Sequence, residues 1–191
     1  AAALEQATQP SVPCGAGAAA ERQDAAPAVG GPVAIASVHT SAVPDDLETF
    51  GWTPRVDLSG DENGMDLALL LARSSHCKSG SMGCVIVSAG GTIIAGQVNS
   101  AIWEVGGTKR PASDVHAEVN AIGHCARRGV ATEGATAFVT MPPCKRCFVV
   151  LCASGIRRIV TRKPFNSQEG PEITKVAKRL GISMVIVDDT D

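Results

Sequence analysis

Two short segments decide how this chain is interpreted: His116-Ala117-Glu118 and, with its first cysteine 28 positions after His116, Pro143-Cys144-Lys145-Arg146-Cys147. Together they supply one imidazole and two thiols, which are good zinc ligands, and one carboxylate. Zinc prefers four tetrahedral nitrogen and sulfur ligands, and catalytic sites leave one position open for water. Three protein ligands would leave that position open, and zinc lowers the pKa of water bound there to near neutrality.

Glu118 is predicted to handle protons rather than to bind the metal. A carboxylate beside the activated water can take a proton from it and return the proton to a leaving amine. Residues two apart on a helix do not share a face, so His116 and Glu118 can serve one site only over the N-terminal end of a helix. The sequence therefore predicts that a helix begins at this segment.

The cysteines allow two other interpretations. A lone Cys-x-x-Cys motif is also typical of a redox pair or of half a structural zinc site. A closed structural site needs a fourth ligand, which His124, Cys125 or Cys152 could supply. The combination of all four residue types in this order, with Pro143 directly before the first cysteine, favours a catalytic zinc site.

The composition is that of one globular domain with an attached segment. The chain has 191 residues, of which 45% are hydrophobic and 3% aromatic, so its core must be aliphatic. The net charge of −2 is uneven: residues 1–60 hold two basic and seven acidic residues, and residues 61–191 hold fifteen basic and twelve acidic. The basic excess near the two motifs is too small to indicate nucleic-acid binding.

The cysteine count and the lack of targeting signals predict a cytoplasmic protein. Seven cysteines form no evident disulfide framework, which favours a reducing compartment. No apolar run reaches the length of a membrane span, and no secretory signal is visible. The chain begins with Ala, and Arg22 is the sole arginine before Arg55. Organelle targeting is the weaker alternative because transit peptides are rich in arginine.

The chain is predicted to divide near residue 60. Residues 1–60 form an Ala/Pro/Gly-rich N-terminal segment, which we expect to be largely disordered or to dock as an arm. In it, Val33–Val38 is a candidate strand and Phe50-Gly51-Trp52 a candidate aromatic anchor. Residues 61–191 are expected to form the catalytic domain.

Hydrophobic periodicity in residues 61–191 predicts nine elements in the order α-β-β-α-β-α-β-α-β. Helices are expected over Met65–His76, from His116 to about Arg128 with Asp114 as its cap, over Cys144–Ser154 and over Glu172–Leu180. Strands are expected over Gly83–Ser88, Thr92–Val98, Ala135–Met141, Ile156–Thr161 and Ile182–Val187. The first two strands form a hairpin, and the later alternation indicates an α/β fold with parallel pairing and helices on both faces of the sheet.

From Met65 to Val187, and most specifically in His116–Asn120 and Pro143–Cys147, the chain resembles the cytidine and deoxycytidylate deaminase superfamily. His-Ala-Glu-Val-Asn-Ala-Ile is closer to the deoxycytidylate deaminases than to the tetrameric cytidine deaminases, which carry a Cys at the position of His116. The resemblance implies a three-layer α/β/α sandwich with a five-stranded mixed sheet, and it implies a homo-oligomer.

The same resemblance implies an activity and its main residues. Zinc would be held by His116, Cys144 and Cys147, and Glu118 would shuttle protons. The expected reaction is hydrolytic deamination of a cytosine-type nucleoside or nucleotide, with release of ammonia. The resemblance therefore implies Zn²⁺ as the cofactor and a small pyrimidine as the partner.

Substrate contacts are implied at Asn99 by its side chain and at Ala117 by its backbone. Trp103, in the loop before the site, would either stack on a base or pack the loop down. Deoxycytidylate deaminases carry a Gly-Tyr-Asn-Gly type stretch after the second strand, whereas Gly96–Ser100 is Gly-Gln-Val-Asn-Ser here. The sugar and phosphate specificity is therefore left open. Basic side chains near the site could meet a phosphate or form a solvated face: Lys109, Arg110, Lys145 and Arg146.

Two further functions are compatible with the motifs. The tRNA adenosine deaminases, which act on RNA, also use His-Ala-Glu and Pro-Cys-x-x-Cys. They usually carry Glu before Pro-Cys, where this chain has Pro142. A non-catalytic partner subunit could keep the fold and the metal, but the presence of Glu118 argues against it.

Overall fold

A computed structural model of the protein describes residues 49–103, 111–166 and 168–187. These residues form the helices α1 (Gly60–Ala72), α2 (Ala117–Arg127), α3 (Lys145–Ala153) and α4 (Gly170–Leu180). They also form the strands β1 (Gly83–Val87), β2 (Ile93–Val98), β3 (Thr136–Val139), β4 (Arg158–Thr161) and β5 (Ser183–Ile186). The predicted order of elements is confirmed. The predicted strand Val33–Val38 lies outside the described residues, as do Lys109 and Arg110.

The five strands form one mixed sheet in the order β2-β1-β3-β4-β5. Strand β1 pairs antiparallel with both β2 and β3, and Val85 lies opposite Gly96 on one side and Phe138 on the other. Strands β3, β4 and β5 are parallel. The predicted hairpin and the predicted parallel pairing are therefore both confirmed. The hairpin turn contains Gly91 at a φ of 86°, a backbone conformation that glycine adopts without steric cost.

Alternation along each strand divides the core into two layers. Residues Val85 and Val87 of β1 pack with α1, whereas Cys84 and Ile86 face the side that carries α2, α3 and α4. Both layers are built mainly from aliphatic side chains, as the scarcity of aromatic residues predicted. The helices on both faces make the molecule a three-layer α/β/α sandwich. No helix in the described part of the chain has both the length and the apolar character needed to cross a membrane.

Helix α1 begins five residues earlier than predicted because a capping box precedes it. The Ser59 hydroxyl accepts the Glu62 N–H at 3.2 Å, and the Glu62 carboxylate accepts the Ser59 N–H at 2.6 Å. Before the cap, the Trp52 indole donates to Asp66 at 2.8 Å and packs beside the α1 layer. These contacts cross the predicted division near residue 60, and docking of the residues before 49 stays a prediction.

Two close contacts fix α1 against the sheet. A Cβ atom at Gly83 would overlap the carbonyl oxygen of Ala68, so α1 can approach β1 this closely only because that residue is glycine. At the start of the helix, the Asp61 carboxylate accepts two bonds from the Arg158 guanidinium of β4, at 2.6 and 2.5 Å. Both side chains of this ion pair are largely shielded from solvent.

Candidate metal centre and active site

His116 is fixed at the start of α2 by contacts with the end of β2. It is the N-cap residue, with an extended backbone at φ −76° and ψ 154°. An antiparallel bridge joins the preceding Val115 to Ser100, with both N–H···O distances at 3.0 Å. One turn into α2, the Asn120 amide donates to the Val98 carbonyl at 2.7 Å and to the Ser100 hydroxyl at 2.9 Å. The first turn of α2 is thereby tied to the sheet edge.

The prediction that Asp114 caps α2 is wrong. The N-cap position belongs to His116, two residues further on, whose side chain makes no capping bond. The Asp114 carboxylate instead accepts the backbone N–H groups of Ile102 at 3.0 Å and Trp103 at 3.2 Å. Asp114 therefore closes the loop after β2 because that loop offers it two donors.

Three potential ligand atoms meet where α2 and α3 begin. Cys144 is the N-cap residue of α3 and Cys147 the third residue of that helix. Their Sγ atoms lie 3.8 Å and 3.4 Å from the His116 Nδ1 atom, and all three atoms lie within 4.8 Å of one another. Tetrahedral zinc with bonds of about 2.3 Å to sulfur and about 2.0 Å to nitrogen requires N···S separations of roughly 3.6 Å. The chain's own geometry therefore fits a zinc ion.

The other candidate ligands lie elsewhere. Among the described residues, the metal-binding group consists of His116, Cys144 and Cys147. The Cys125 side chain is buried in the core, Cys152 packs against that core, and the His124 Nδ1 atom lies 3.4 Å from the Gln97 amide nitrogen. A set of three ligands is what a metal centre with one open position requires.

Glu118, the second residue of α2, lies buried beside this group with 5% of its surface exposed. Burial raises the pKa of its carboxyl group, and contacts with His116 and the Cys147 side chain offset that effect only in part. Burial also raises the pKa of the Cys147 thiol, and the charge of Glu118 adds to this rise. A cation held by the ligand group would lower both pKa values, because a nearby opposite charge favours the ionised forms of the carboxyl group and the thiol.

Residues from the start of α2, from the start of α3 and from the segment after β2 line the pocket above this group. Its described lining includes His116, Glu118 and Cys144, together with Asn99, and contains neither lysine nor arginine. Pro142 and Met141 line it from the segment that leads into α3. A small molecule in this pocket would lie beside the Glu118 carboxyl group and two of the three potential ligands, His116 and Cys144.

The residues predicted to contact substrate differ in their placement. Asn99 is buried and lines the pocket. Ala117 is fully buried as the first residue of α2, and Trp103 has 75% of its surface exposed; the described pocket lining includes neither of them. The contacts proposed for Ala117 and Trp103 therefore stay predictions.

The basic residues next to Cys144 are both exposed. The Lys145 amine forms an ion pair with Glu172 of α4 at 2.7 Å, which partly occupies its charge. The phosphate contact considered for Lys145 and Arg146 stays a prediction.

Sequence reasoning missed several residues that shape the pocket. Ser79, Met82 and Ser113 line it, and the buried Ser75 hydrogen-bonds to Asn99. Ser75 and Asn99 lie 24 positions apart, and no local pattern signals such a contact. Asn120 lay within the quoted motif, but its anchoring role depends on the position of β2.

The fold and the site together define an α/β protein of the cytidine deaminase-like class, with a His-Cys-Cys group at two helix starts beside a buried glutamate. Residues 58–163, more than half of the chain, match the family model described as the cytidine and deoxycytidylate deaminase zinc-binding region. The chain belongs to this family.

Individual relatives agree with this assignment. The deoxycytidylate deaminase of Enterobacteria phage T2 is 35% identical over 72 residues, which are 38% of this chain and 38% of the phage protein. The match thus spans less than two fifths of that relative. The crystal structure of dCMP deaminase from the cyanophage S-TIM5 in apo form has a TM-score of 0.55 at 25% identity, covering 66% of this chain and 96% of that one.

A second solved structure shares the fold alone. It is a diaminohydroxyphosphoribosylaminopyrimidine deaminase/5-amino-6-(5-phosphoribosylamino)uracil reductase from Thermotoga maritima, with a TM-score of 0.55 at 24% identity. The match covers 66% of this chain and 36% of that one. The architecture is therefore shared by proteins whose named substrates differ.

Proposed function

We propose that this protein is a zinc-dependent hydrolytic deaminase of a cytosine-type nucleoside or nucleotide. The observation that carries the proposal is the grouping of one imidazole nitrogen and two thiol sulfurs beside the buried carboxyl group of Glu118. The family match and the deoxycytidylate deaminase named among the relatives support a cytosine-type base. Water would replace the exocyclic amine of the base, giving the uracil-type product and ammonia.

In this proposal, His116, Cys144 and Cys147 hold the zinc ion. Bound zinc would supply the chemistry that the side chains lack, which is acidification of a water molecule at neutral pH. Cys144 and Cys147 are held at the start of α3, whose hydrogen bonds fix their spacing, and His116 is held at the start of α2. The chain thus presents a preorganised ligand set.

Glu118 is proposed to carry the proton. Its buried position raises its pKa, which brings a carboxylate closer to the pH at which it can both accept and return a proton. It would take a proton from the attacking water and deliver it to the amine nitrogen that leaves as ammonia. Glu118 follows His116 by two positions at the helix start, and both line one pocket together with Cys144.

A free small-molecule substrate is favoured over RNA by the small basic excess of the domain. Residues 61–191 carry fifteen basic and twelve acidic residues, a net charge of +3, whereas RNA binding relies on extended positive surfaces. Asn99, which lines the pocket, is proposed to contact the substrate, and the exposed Arg146, two positions after the pocket-lining Cys144, is proposed to meet a phosphate. The phosphorylation state of the substrate is part of the test below.

Self-association is proposed as well. Val149 of α3 is 58% exposed and Val119 of α2 37% exposed, so the outer surface of these two helices carries apolar area that a second copy could cover. Sedimentation of the intact protein should show an oligomer, and Val149→Asp should shift it towards the monomer. A wild-type protein that sediments as a monomer would contradict self-association.

A reducing, cytoplasmic setting is the proposed compartment. All six cysteines in the described ranges are free thiols. Free thiols of this number persist where the environment is reducing. Localisation of the tagged full-length protein would test this expectation directly.

The activity test begins with the purified protein, one zinc per chain, and a panel of cytosine, cytidine, deoxycytidine, CMP and dCMP. Ammonia release from at least one compound is expected. Glu118→Gln should keep zinc but lower kcat by about 100-fold or more, since general acid–base catalysis contributes about 10²–10⁴-fold. The matched control, Glu133→Gln, changes an exposed glutamate away from the pocket and should retain full activity.

A zinc-loaded protein that releases no ammonia from any member of the panel would overturn the proposed activity. Inosine formation in treated tRNA, with no activity on the free pyrimidines, would replace it with adenosine deamination of RNA. A stable complex with a second deaminase chain and no activity alone would instead identify a non-catalytic subunit.

A further inference from the structure

The side-chain amide of Asn99 is held by three hydrogen bonds from the chain itself. Its Oδ1 atom accepts the Ser75 hydroxyl at 2.6 Å and the Met82 N–H at 2.9 Å. Its Nδ2 atom donates to the Gly80 carbonyl at 2.9 Å. Asn99 has 4% of its surface exposed and lines the same pocket as Glu118.

These contacts set which end of the amide is available to a ligand. An amide oxygen accepts two hydrogen bonds and an amide nitrogen donates two. The oxygen of Asn99 is therefore saturated by Ser75 and Met82, whereas the nitrogen retains one hydrogen. Rotating the amide by half a turn would set Nδ2 against the Met82 N–H and Oδ1 against the Gly80 carbonyl, which removes two hydrogen bonds.

Ser75 is the one side chain among these partners, and it is itself fixed. It lies just beyond the C-terminal end of α1 and is 6% exposed. Its hydroxyl oxygen accepts the Cys77 N–H at 3.4 Å while its hydrogen goes to Asn99. The hydroxyl hydrogen has two acceptors within reach, Oδ1 of Asn99 at 2.6 Å and the Asn99 backbone carbonyl at 3.2 Å, and the shorter contact is with Oδ1. Ser75 therefore presents a donor to Asn99.

We propose that Ser75 is a positioning residue for substrate binding, because it saturates Oδ1 of Asn99 and so presents Asn99 to the pocket as a donor alone. The substrate atom at this place is then a hydrogen-bond acceptor, either a sugar hydroxyl oxygen or the carbonyl oxygen of a pyrimidine. This inference rests on the proposed deaminase function and refines its substrate specificity. Ser75 acts through Asn99 and is not itself a catalytic residue.

The proposal predicts how KM changes in three variants of Ser75 and Asn99, with a fourth variant as the control. Ser75→Ala leaves Oδ1 with an unfilled acceptor position and should raise KM about tenfold with little change in kcat, a magnitude typical of one lost buried hydrogen bond. Ser75→Thr keeps the hydroxyl and should keep KM within about threefold of the wild type. Asn99→Asp keeps the acceptor but removes the donor, and should raise KM more than Ser75→Ala does.

Ser74→Ala is the matched control. Ser74 precedes Ser75, and its hydroxyl donates to the Leu71 carbonyl of α1 at 2.8 Å rather than to Asn99. The substitution Ser74→Ala removes a hydroxyl from the same turn. If Ser75→Ala raised KM only by disturbing the end of α1, Ser74→Ala should raise KM as well. The proposal expects an unchanged KM for Ser74→Ala.

A second measurement does not depend on turnover. In zinc-loaded Glu118→Gln protein, the two Asn99 side-chain N–H signals are followed by NMR with and without added CMP or dCMP. We expect one hydrogen to be protected from exchange by Gly80 before ligand is added, and the other to shift on binding. Introducing Ser75→Ala into the Glu118→Gln protein should reduce both the protection of the first Asn99 hydrogen from exchange and the shift of the second on binding.

The outcomes separate the two proposals. If no panel compound is deaminated, the proposed function fails, while protection of the Asn99 amide still tests its positioning. If ammonia is released but Ser75→Ala matches the wild type in KM and in the Asn99 signals, the positioning proposal is overturned alone. A rise in KM that Ser74→Ala shares and Ser75→Thr does not rescue would overturn it as well.

Discussion

The two faces of the sheet use buried charge in opposite ways. On the α1 side, Arg158 and Asp61 form a two-bond ion pair in which the positive and negative groups are both supplied by the chain. On the α2 and α3 side, Glu118 lies with two thiols and one imidazole, and the described pocket lining offers no lysine or arginine. The first face holds a charge pair that the chain itself completes, whereas the second holds a ligand group whose geometry fits a zinc ion. The second face is the one for which we propose chemistry.

Removing one sulfur from the second face should have the largest effect. Cys147→Ser should weaken zinc binding by more than about 100-fold, since even loss of an outer partner of a metal ligand costs about 10–100-fold, and activity should fall with it. Zinc content after dialysis against a chelator measures this. Cys152→Ser, on the same helix but outside the metal group, should keep both zinc and activity. Equal zinc loss in the two variants would refute the assignment of ligands.

Breaking the ion pair on the first face should destabilise the fold without removing zinc. Asp61→Asn leaves the Arg158 guanidinium buried without its countercharge, at a cost of about 3–5 kcal/mol in the free energy of unfolding. Urea unfolding of the zinc-loaded protein measures this. Glu172→Gln breaks the exposed pair with Lys145 and should leave stability unchanged. An Asp61→Asn protein as stable as the wild type would show that the buried pair contributes little.

A glycine substitution tests how closely the first face is packed. Gly83→Ala places a methyl group against the backbone of α1, which cannot move aside as a side chain can, and should cost about 1–3 kcal/mol or more. Gly90→Ala lies in the hairpin turn, where the added methyl group would meet the Ser88 hydroxyl at an ordinary contact distance of 3.8 Å, and it should change stability by less than about 0.5 kcal/mol. Thermal unfolding of the two variants side by side decides the matter, and similar melting temperatures would contradict the packing described.

The smallest effect is expected at the start of α1. Ser59→Ala removes the side-chain acceptor for the Glu62 N–H and should cost about 1 kcal/mol. Ser59→Asp keeps an acceptor at the cap and should restore most of that loss. Unfolding by urea would show it, and equal stability of the alanine and aspartate variants would argue that the cap is unimportant.

The site on the α2 and α3 side of the sheet was easier to predict from sequence than the contacts on the α1 side. His116, Glu118, Cys144 and Cys147 stand in two short segments whose residue types and spacing indicate one kind of site. Strands and helices followed from periodicity, because one face of each element is apolar. The capping box at Ser59 is a local pattern, but apolar periodicity predicts that α1 begins only at Met65.

What sequence reasoning missed depends on contacts between distant segments. Arg158 and Asp61 lie 97 positions apart, and Ser75 and Asn99 lie 24 apart. Neither pair leaves a periodic or spaced signal, since each forms only after the sheet has brought its partners together. Asp114 fits the local rule for a helix cap, yet its carboxylate accepts two backbone N–H groups of the loop after β2 instead.

The most direct test of the central claim is X-ray absorption at the zinc edge of the intact, zinc-loaded protein. We predict two sulfur ligands at about 2.3 Å, one imidazole nitrogen and one further light atom at the open position. Cys147→Ser, wherever it retains zinc, should show one sulfur ligand. A zinc ion with three or four sulfurs, or with a second imidazole filling the open position, would contradict the account.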